Sequence, residues 1–167
     1  MATSNTFYPQ GGPLAGVNLA NTSTTAEFPV GTTVQGNANS SWEYVQAMVD
    51  IAQYNAVCIN GSGGARPATT THVATMKKIG FAQVAITSGS FGWVARQGAG
   101  FTVMVAASCL ANVALYTTAT AGTLDDAVVT AGAIPGVVAI VAGSAGGVAN
   151  VAALAAQPTI SAAVAPG

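Results

Sequence analysis

Four basic and five acidic side chains and a single histidine are the groups that this chain of 167 residues offers for acid–base or electrostatic chemistry. His72 stands beside a run of threonines with no ligand partner near it in sequence. A metal site needs several ligands, so His72 reads as a solvated loop histidine. Asp125 and Asp126 follow Gly122 and Thr123 in a hairpin turn, where aspartate satisfies local backbone N–H groups. A paired-carboxylate dyad is the sharper reading, but no sequence neighbour supplies the pKa perturbation that such a pair requires. The loop Gly61-Ser62-Gly63-Gly64 lacks the Gly-Lys-Ser/Thr completion of a phosphate cradle, and Arg66-Pro67 follows it instead of a helix start. Cys58 and Cys109 lie far apart in apolar surroundings with no C-x-x-C spacing, and they read as two buried free thiols, with a single disulfide as the alternative. No catalytic, cofactor-binding or metal-ligating residue is expected, and the chain is not expected to be an enzyme.

The elements that hold these residues read as strands. The run Ser41 to Asn60 contains helix-tolerant Ala, Met and Gln, but Tyr44, Val45, Val49, Ile51, Val57 and Ile59 favour two strands around a turn at Asp50 to Asn55. Asn60 to Thr71 reads as an exposed loop. Ile79 to Thr87 alternates Ala82, Val84 and Ile86 against Phe81, Gln83 and Ala85. A turn at Ser88-Gly89-Ser90 leads into FGWVARQ, and a second at Gln97 to Gly100 leads into FTVMVAA, which together predict an antiparallel meander. ALYTT, DAVVT and IPGVVAIVAG continue the series, with Pro135 expected at a strand start or edge. The tail from Ser144 either closes the sheet or forms a short Ala-rich helix. The predicted fold class is all-β, an antiparallel β-sandwich or small β-barrel.

Residues 1–40 are different. They mix Asn, Thr, Ser, Gly and Pro with isolated apolar residues and show no periodicity, so they predict an extended N-terminal arm ahead of a β-rich domain at 41–167. The spaced Phe7, Tyr8, Leu14 and Phe28 could dock on a neighbour, and Trp42 and Trp93 are further candidate partner contacts because aromatic residues are enriched at interfaces.

Composition narrows the function. The chain is 51% hydrophobic and 5% charged, against roughly 25% charged residues in an ordinary soluble domain. Its surface must therefore include apolar patches larger than a monomer normally shows, which predicts packing against neighbours. With net charge -1 there is no basic footprint for nucleic acid. Ile134 to Ala156 is long enough to span a bilayer, but Gly, Ser and Ala dominate its middle, Asn150 interrupts it, and no Lys or Arg flanks it; no membrane association is expected. The start of the chain has neither the basic region nor the apolar core of a secretory signal, so synthesis in a cytoplasm is expected and the N-x-S/T matches at Asn21, Asn39 and Asn60 carry no glycosylation meaning.

FPVGTTVQG (28–36), the stretch from Tyr44 to Ile59, IGFAQVAITSGSFGWVARQG (79–98), ALYTTATAGTLDDA (114–127) and the IPGVVA segment together resemble the decoration, or cement, proteins of tailed-bacteriophage heads. The resemblance covers residues 28–158 and rests on glycine and alanine turn patterns within β-rich segments. It implies a non-enzymatic virion protein without cofactors, made in the host cytoplasm. Such a protein would form homotrimers on the outer capsid surface and clamp adjacent major capsid protein subunits. A receptor- or glycan-binding module associated with a fibre is the alternative.

Overall fold

The computed structural model describes residues 17–36, 39–129 and 132–156. Phe7, Tyr8 and Leu14 lie outside the described residues. Among those described the fold is all-β, with one 3-10 turn at His72–Ala74. The strands are β1 (Thr22–Ser23), β2 (Thr33–Gln35), β3 (Ser41–Ala47), β4 (Ala56–Ile59), β5 (Gly64–Pro67), β6 (Lys78–Ala82), β7 (Phe91–Val105), β8 (Ala114–Thr117), β9 (Leu124–Asp125), β10 (Ala133–Ala139) and β11 (Ala149–Ala156).

Strand β7, 15 residues long, organises the molecule. Its first half pairs antiparallel with β3, from Gln46↔Phe91 to Ser41↔Gln97. Its second half pairs antiparallel with β11, from Ala156↔Gln97 to Ala149↔Val105. Each half completes a ring of strands. The first ring runs β7–β6–β4–β5–β3 and back to β7, with β3 and β5 parallel. The second runs β7–β11–β10–β8–β9 and back to β7 through a parallel bridge between Leu124 and Val105.

Alternation along the strands sorts side chains into two cores. Val45, Val57, Ile59, Ala82 and Val94 point into the first ring, where Ile51 and Ile86 join them. Their strand neighbours Trp42, Tyr44, Cys58, Phe81 and Trp93 face the other way, into a larger cluster that continues through Phe101 and Val103 to Leu115, Leu124 and Ile134 of the second ring. The rings of Phe81 and Phe101 stack at 4.9 Å across the junction. Both faces of the first-ring strands are thus buried, which accounts for their apolar runs.

Several expectations about strand limits are corrected. Gln97 to Gly100 is a continuation of β7, because Gly98 and Gly100 adopt φ of 131° and 82° and absorb a bulge instead of reversing the chain. The predicted meander therefore shrinks to the β6–β7 hairpin. Residues 60–71 are not all loop: Asn60 Oδ1 accepts the N–H groups of Ser62 (3.0 Å) and Gly64 (2.8 Å), and this side-chain turn sends β5 back along β4. The strand expected at Ile79 to Thr87 stops at Ala82, since the chain bends at Gln83 and only Ile86 returns to pair with Ile51. The chain leaves the sheet after Asp125, so residues 126–129 of the expected DAVVT strand lie outside it. Pro135 sits neither at a start nor at an edge; it lies in mid-β10 at a register shift between Ile134 and Val138, where a bulge spares its missing N–H a ladder bond. The tail forms β11 and not a helix, because Val151, Ala153 and Ala155 alternate inward. No helix among the described residues is long and apolar enough to cross a membrane.

Within 17–36, β1 pairs with Phe91 and Gly92, β2 pairs with β3, and Leu19 is buried in the main cluster. Replacing Gly98 by Ala would set a Cβ 2.9 Å from Ser40 Cβ at a φ that L-residues avoid. We expect a loss of about 2 kcal/mol, read as a melting midpoint lower by roughly 5 °C; an unchanged midpoint would show that the β7 bulge is not constrained.

Candidate functional site

The first ring carries an ionic group inside it. Glu43 shares a strand face with Val45 on β3, Arg96 with Val94 on β7, and Lys78 with Gly80 and Ala82 on β6, so all three start from the ring's inner face, with the Lys78 side chain still 45% exposed. Glu43 is 2% exposed and Arg96 7%. One Glu43 carboxylate oxygen takes the Lys78 ammonium and the other lies 3.4 Å from Arg96 Nε. Arg96 also donates from Nη1 to the Ile79 carbonyl. Burial pulls the Arg96 pKa down from its ordinary value and the Glu43 charge opposes that shift. This cluster escaped sequence reading because its members are 18 to 53 positions apart, although a Glu between Trp42 and Tyr44 in an apolar strand was a visible oddity.

The structure assembles a second group that sequence reading kept apart. Cys109 Sγ and one carboxylate oxygen each from Asp125 and Asp126 lie within 4.8 Å of one another. Thiolate and carboxylates form a donor set for a metal ion, but each member has another task here. Asp126 Oδ2 accepts the Leu110 N–H at 3.3 Å, and Asp125 Oδ1 accepts the Asp126 N–H at 2.9 Å, the backbone service expected of turn aspartates. Burial first, then the charges of Asp126 and Asp125, push the Cys109 thiol upward and keep it protonated. Burial and the Asp126 carboxyl likewise raise Asp125.

The remaining candidates are dispersed. His72 is half-buried, with Nδ1 3.1 Å from the Pro67 carbonyl. Cys58 and Cys109 are both free and buried. A cleft of about 120 Å³ is lined by Leu19, Trp42, Gln53, Tyr54 and Gln83, below the size usual for small-molecule sites. Trp42 and Trp93 are 2% and 1% exposed. Phe28 packs 5.4 Å from the rings of both Tyr44 and Trp93, so the three aromatic candidates among the described residues sit within the fold of one chain. What lies outside is aliphatic: Leu110, Val128, Ile140, Val141 and Val148 are each at least 47% exposed, with Met48 and Val49 at 43%.

No protein-family model matches the sequence, and no curated protein matches it. Among solved structures, the fold is similar to the N base of head fiber gp8.5 of bacteriophage phi29, with a TM-score of 0.50, 12% sequence identity, and coverage of 72% of this chain and 97% of that one. At that identity the likeness is one of fold.

Replacing Glu43 by Leu strands Arg96 in an apolar ring and should cost about 3–5 kcal/mol, while Glu43→Leu with Arg96→Met should recover most of it; denaturant melts of the two variants check this. Burial raises the Cys58 pKa from 9.0 to about 11. The folded state therefore keeps a proton that the unfolded chain loses, so this contribution to stability is full below pH 9 and falls as pH rises towards 11. Native Cys58 should resist iodoacetamide at pH 8 and react once the chain is unfolded; equal rates in the two states would refute its seclusion.

Proposed function

We propose that this chain is a structural protein of a tailed-phage head. It binds the outer surface of the shell as a homotrimer and stabilises contacts between major capsid protein subunits, after synthesis in the host cytoplasm. The observation that carries the reading is the fold, which is similar over nearly the whole of the phi29 head fiber base. The composition supports it independently. Only 5% of the residues are charged, the best-formed ion pairs are spent inside the first ring, and exposed aliphatic side chains remain for contact. Such contacts change little with ionic strength, unlike charge pairs screened over about 8–10 Å, and repetition over a shell multiplies weak binding through effective concentration. The role proposed is mechanical and not enzymatic, and it involves neither nucleic acid nor membrane. Phe7, Tyr8 and Leu14 are the proposed contacts of the N-terminal arm.

The neighbour is a fiber base, which favours one second reading: a fibre-associated module that meets a host receptor or glycan.

Heads prepared without this protein would be mixed with the purified chain, sedimented and then heated. Co-sedimentation together with a raised temperature of DNA release is expected for a capsid clamp. Binding without any gain in head stability would favour the fibre module, and failure to bind would sink both. Deleting residues 2–16, which spares Leu19, should weaken binding at least tenfold with an unchanged melt; undiminished binding would remove the arm from the proposal.

A further inference from the structure

All nine charged side chains lie among the described residues, and the two rings share them unequally. The cations Arg66, Lys77, Lys78 and Arg96 all belong to the first ring or its connections, whereas Asp125 and Asp126 are the charged side chains of the second. Lys78 and Arg96 are satisfied by Glu43. Arg66 is not: no carboxylate among the described residues lies within salt-bridge distance of it, its Nε is enclosed without an acceptor, and its Nη2 meets only the Met48 thioether at 3.9 Å. Asp50, next to Val49, uses its carboxylate to accept the Ser88 N–H at 2.7 Å.

Arg66 and the Asp125–Asp126 pair both border exposed aliphatic surface. Arg66 adjoins Met48, which with its neighbour Val49 is 43% exposed. Asp126 holds the backbone of Leu110, 56% exposed, and lies two residues from Val128, 82% exposed. The Ile140–Val141 turn joins the same surface, because the Gly143 N–H bonds the Cys109 carbonyl at 2.7 Å and the Asn112 N–H bonds the Ala139 carbonyl at 2.9 Å. The first surface is apolar with Arg66 and, beside Val49, Asp50; the second is apolar with the anions Asp125 and Asp126.

Resting on the homotrimer reading above, we propose that these two surfaces bind each other between copies of this chain, head to tail, with Arg66 of one copy meeting Asp125 and Asp126 of the next. A guanidinium with an idle fork suits a pair of carboxylates. A two-fold contact of the second surface with itself would oppose its carboxylates, which costs several kcal/mol, whereas the head-to-tail contact gives them Arg66; that contact is heterologous and, on the homotrimer reading, closes into a ring of three copies. The raised Asp125 pKa fits a carboxyl that lacks a cation in the isolated chain.

Sedimentation velocity of the full chain tests this without any phage component. The wild type should run as three chains of 16.3 kDa. Arg66→Glu and Asp126→Lys should each weaken assembly roughly a hundredfold. The double variant should assemble again, because its charges are exchanged together. An equimolar mixture of the two single variants should associate one with the other but not close into a ring of three, since in such a ring two copies of one variant would have to meet. A wild type that stays monomeric up to about 100 μM, which corresponds to less than roughly 5.5 kcal/mol of binding, overturns the proposal, as do single variants that still assemble or a double variant that does not. Val128→Lys, at a residue exposed enough to leave the fold intact, covers the case in which Asp126→Lys fails to fold: by placing a cation against Arg66 it should also block assembly, and normal assembly overturns the contact. Head binding is scored separately, so a trimer that ignores heads refutes the capsid reading while leaving this contact standing.

Discussion

The backbone of β7 is the constraint on which everything else hangs. Its N–H and C=O groups serve β3 over one half and β11 over the other, and neither ring closes without it. Closure matters more here than in an ordinary domain. Exposed edges of apolar strands recruit other chains unless charge or proline blocks them, and this chain has little charge to spend. Bending its strands into rings withdraws most edges without using a charged residue. The same closure buries both faces of β3, β4 and β6, so the low charge content is a consequence of the architecture as much as of any surface demand.

Inside the first ring, small aliphatic residues dominate. Valine and alanine fill space but discriminate poorly between registers, because a strand shifted by two residues presents nearly the same face. Glu43 removes that freedom. A one-residue slip of β3 would carry its carboxylate into the aromatic cluster around Tyr44 and Trp93, and a two-residue slip would part it from Arg96. A buried ion pair adds little net stability over an apolar pair of similar volume, but fixing a unique arrangement is its best-attested use. The cluster therefore acts as the register pin of a ring whose other residues could not supply one.

The all-β class was legible because alternation in segments such as Ser41–Ala47 and Phe91–Val105 is strong and turn residues recur between them. Limits were less legible wherever a glycine had two meanings. Gly98 and Gly100 look like a turn in one dimension, yet they bend a continuous strand between two partners, and only the pairing of β7 with both β3 and β11 decides which. The Asn60 hairpin was hidden for the opposite reason: a side-chain turn makes a short polar stretch structured. The charged core was invisible because its members come from three strands whose adjacency is set by ring closure, and the Cys109–Asp125–Asp126 group was hidden in the same way. Turn chemistry at the two aspartates, being local, was readable.

Burial of Trp42 and Trp93 changes what the surface can do. Aromatic anchors give an interface energy and direction together, but here they are consumed by the fold. The exposed side chains that remain are leucine, isoleucine, valine and methionine, which gain from burial by area and hardly at all by orientation. Any specific contact built from them must take its geometry from the few charges beside them. In such a surface one guanidinium or one carboxylate has more influence on partner choice than it would on a densely charged protein, because few ions compete for it and like-charge opposition excludes the wrong pairing. Scarcity of charge thus makes each charge that remains a determinant of orientation, outside the fold as Glu43 is within it.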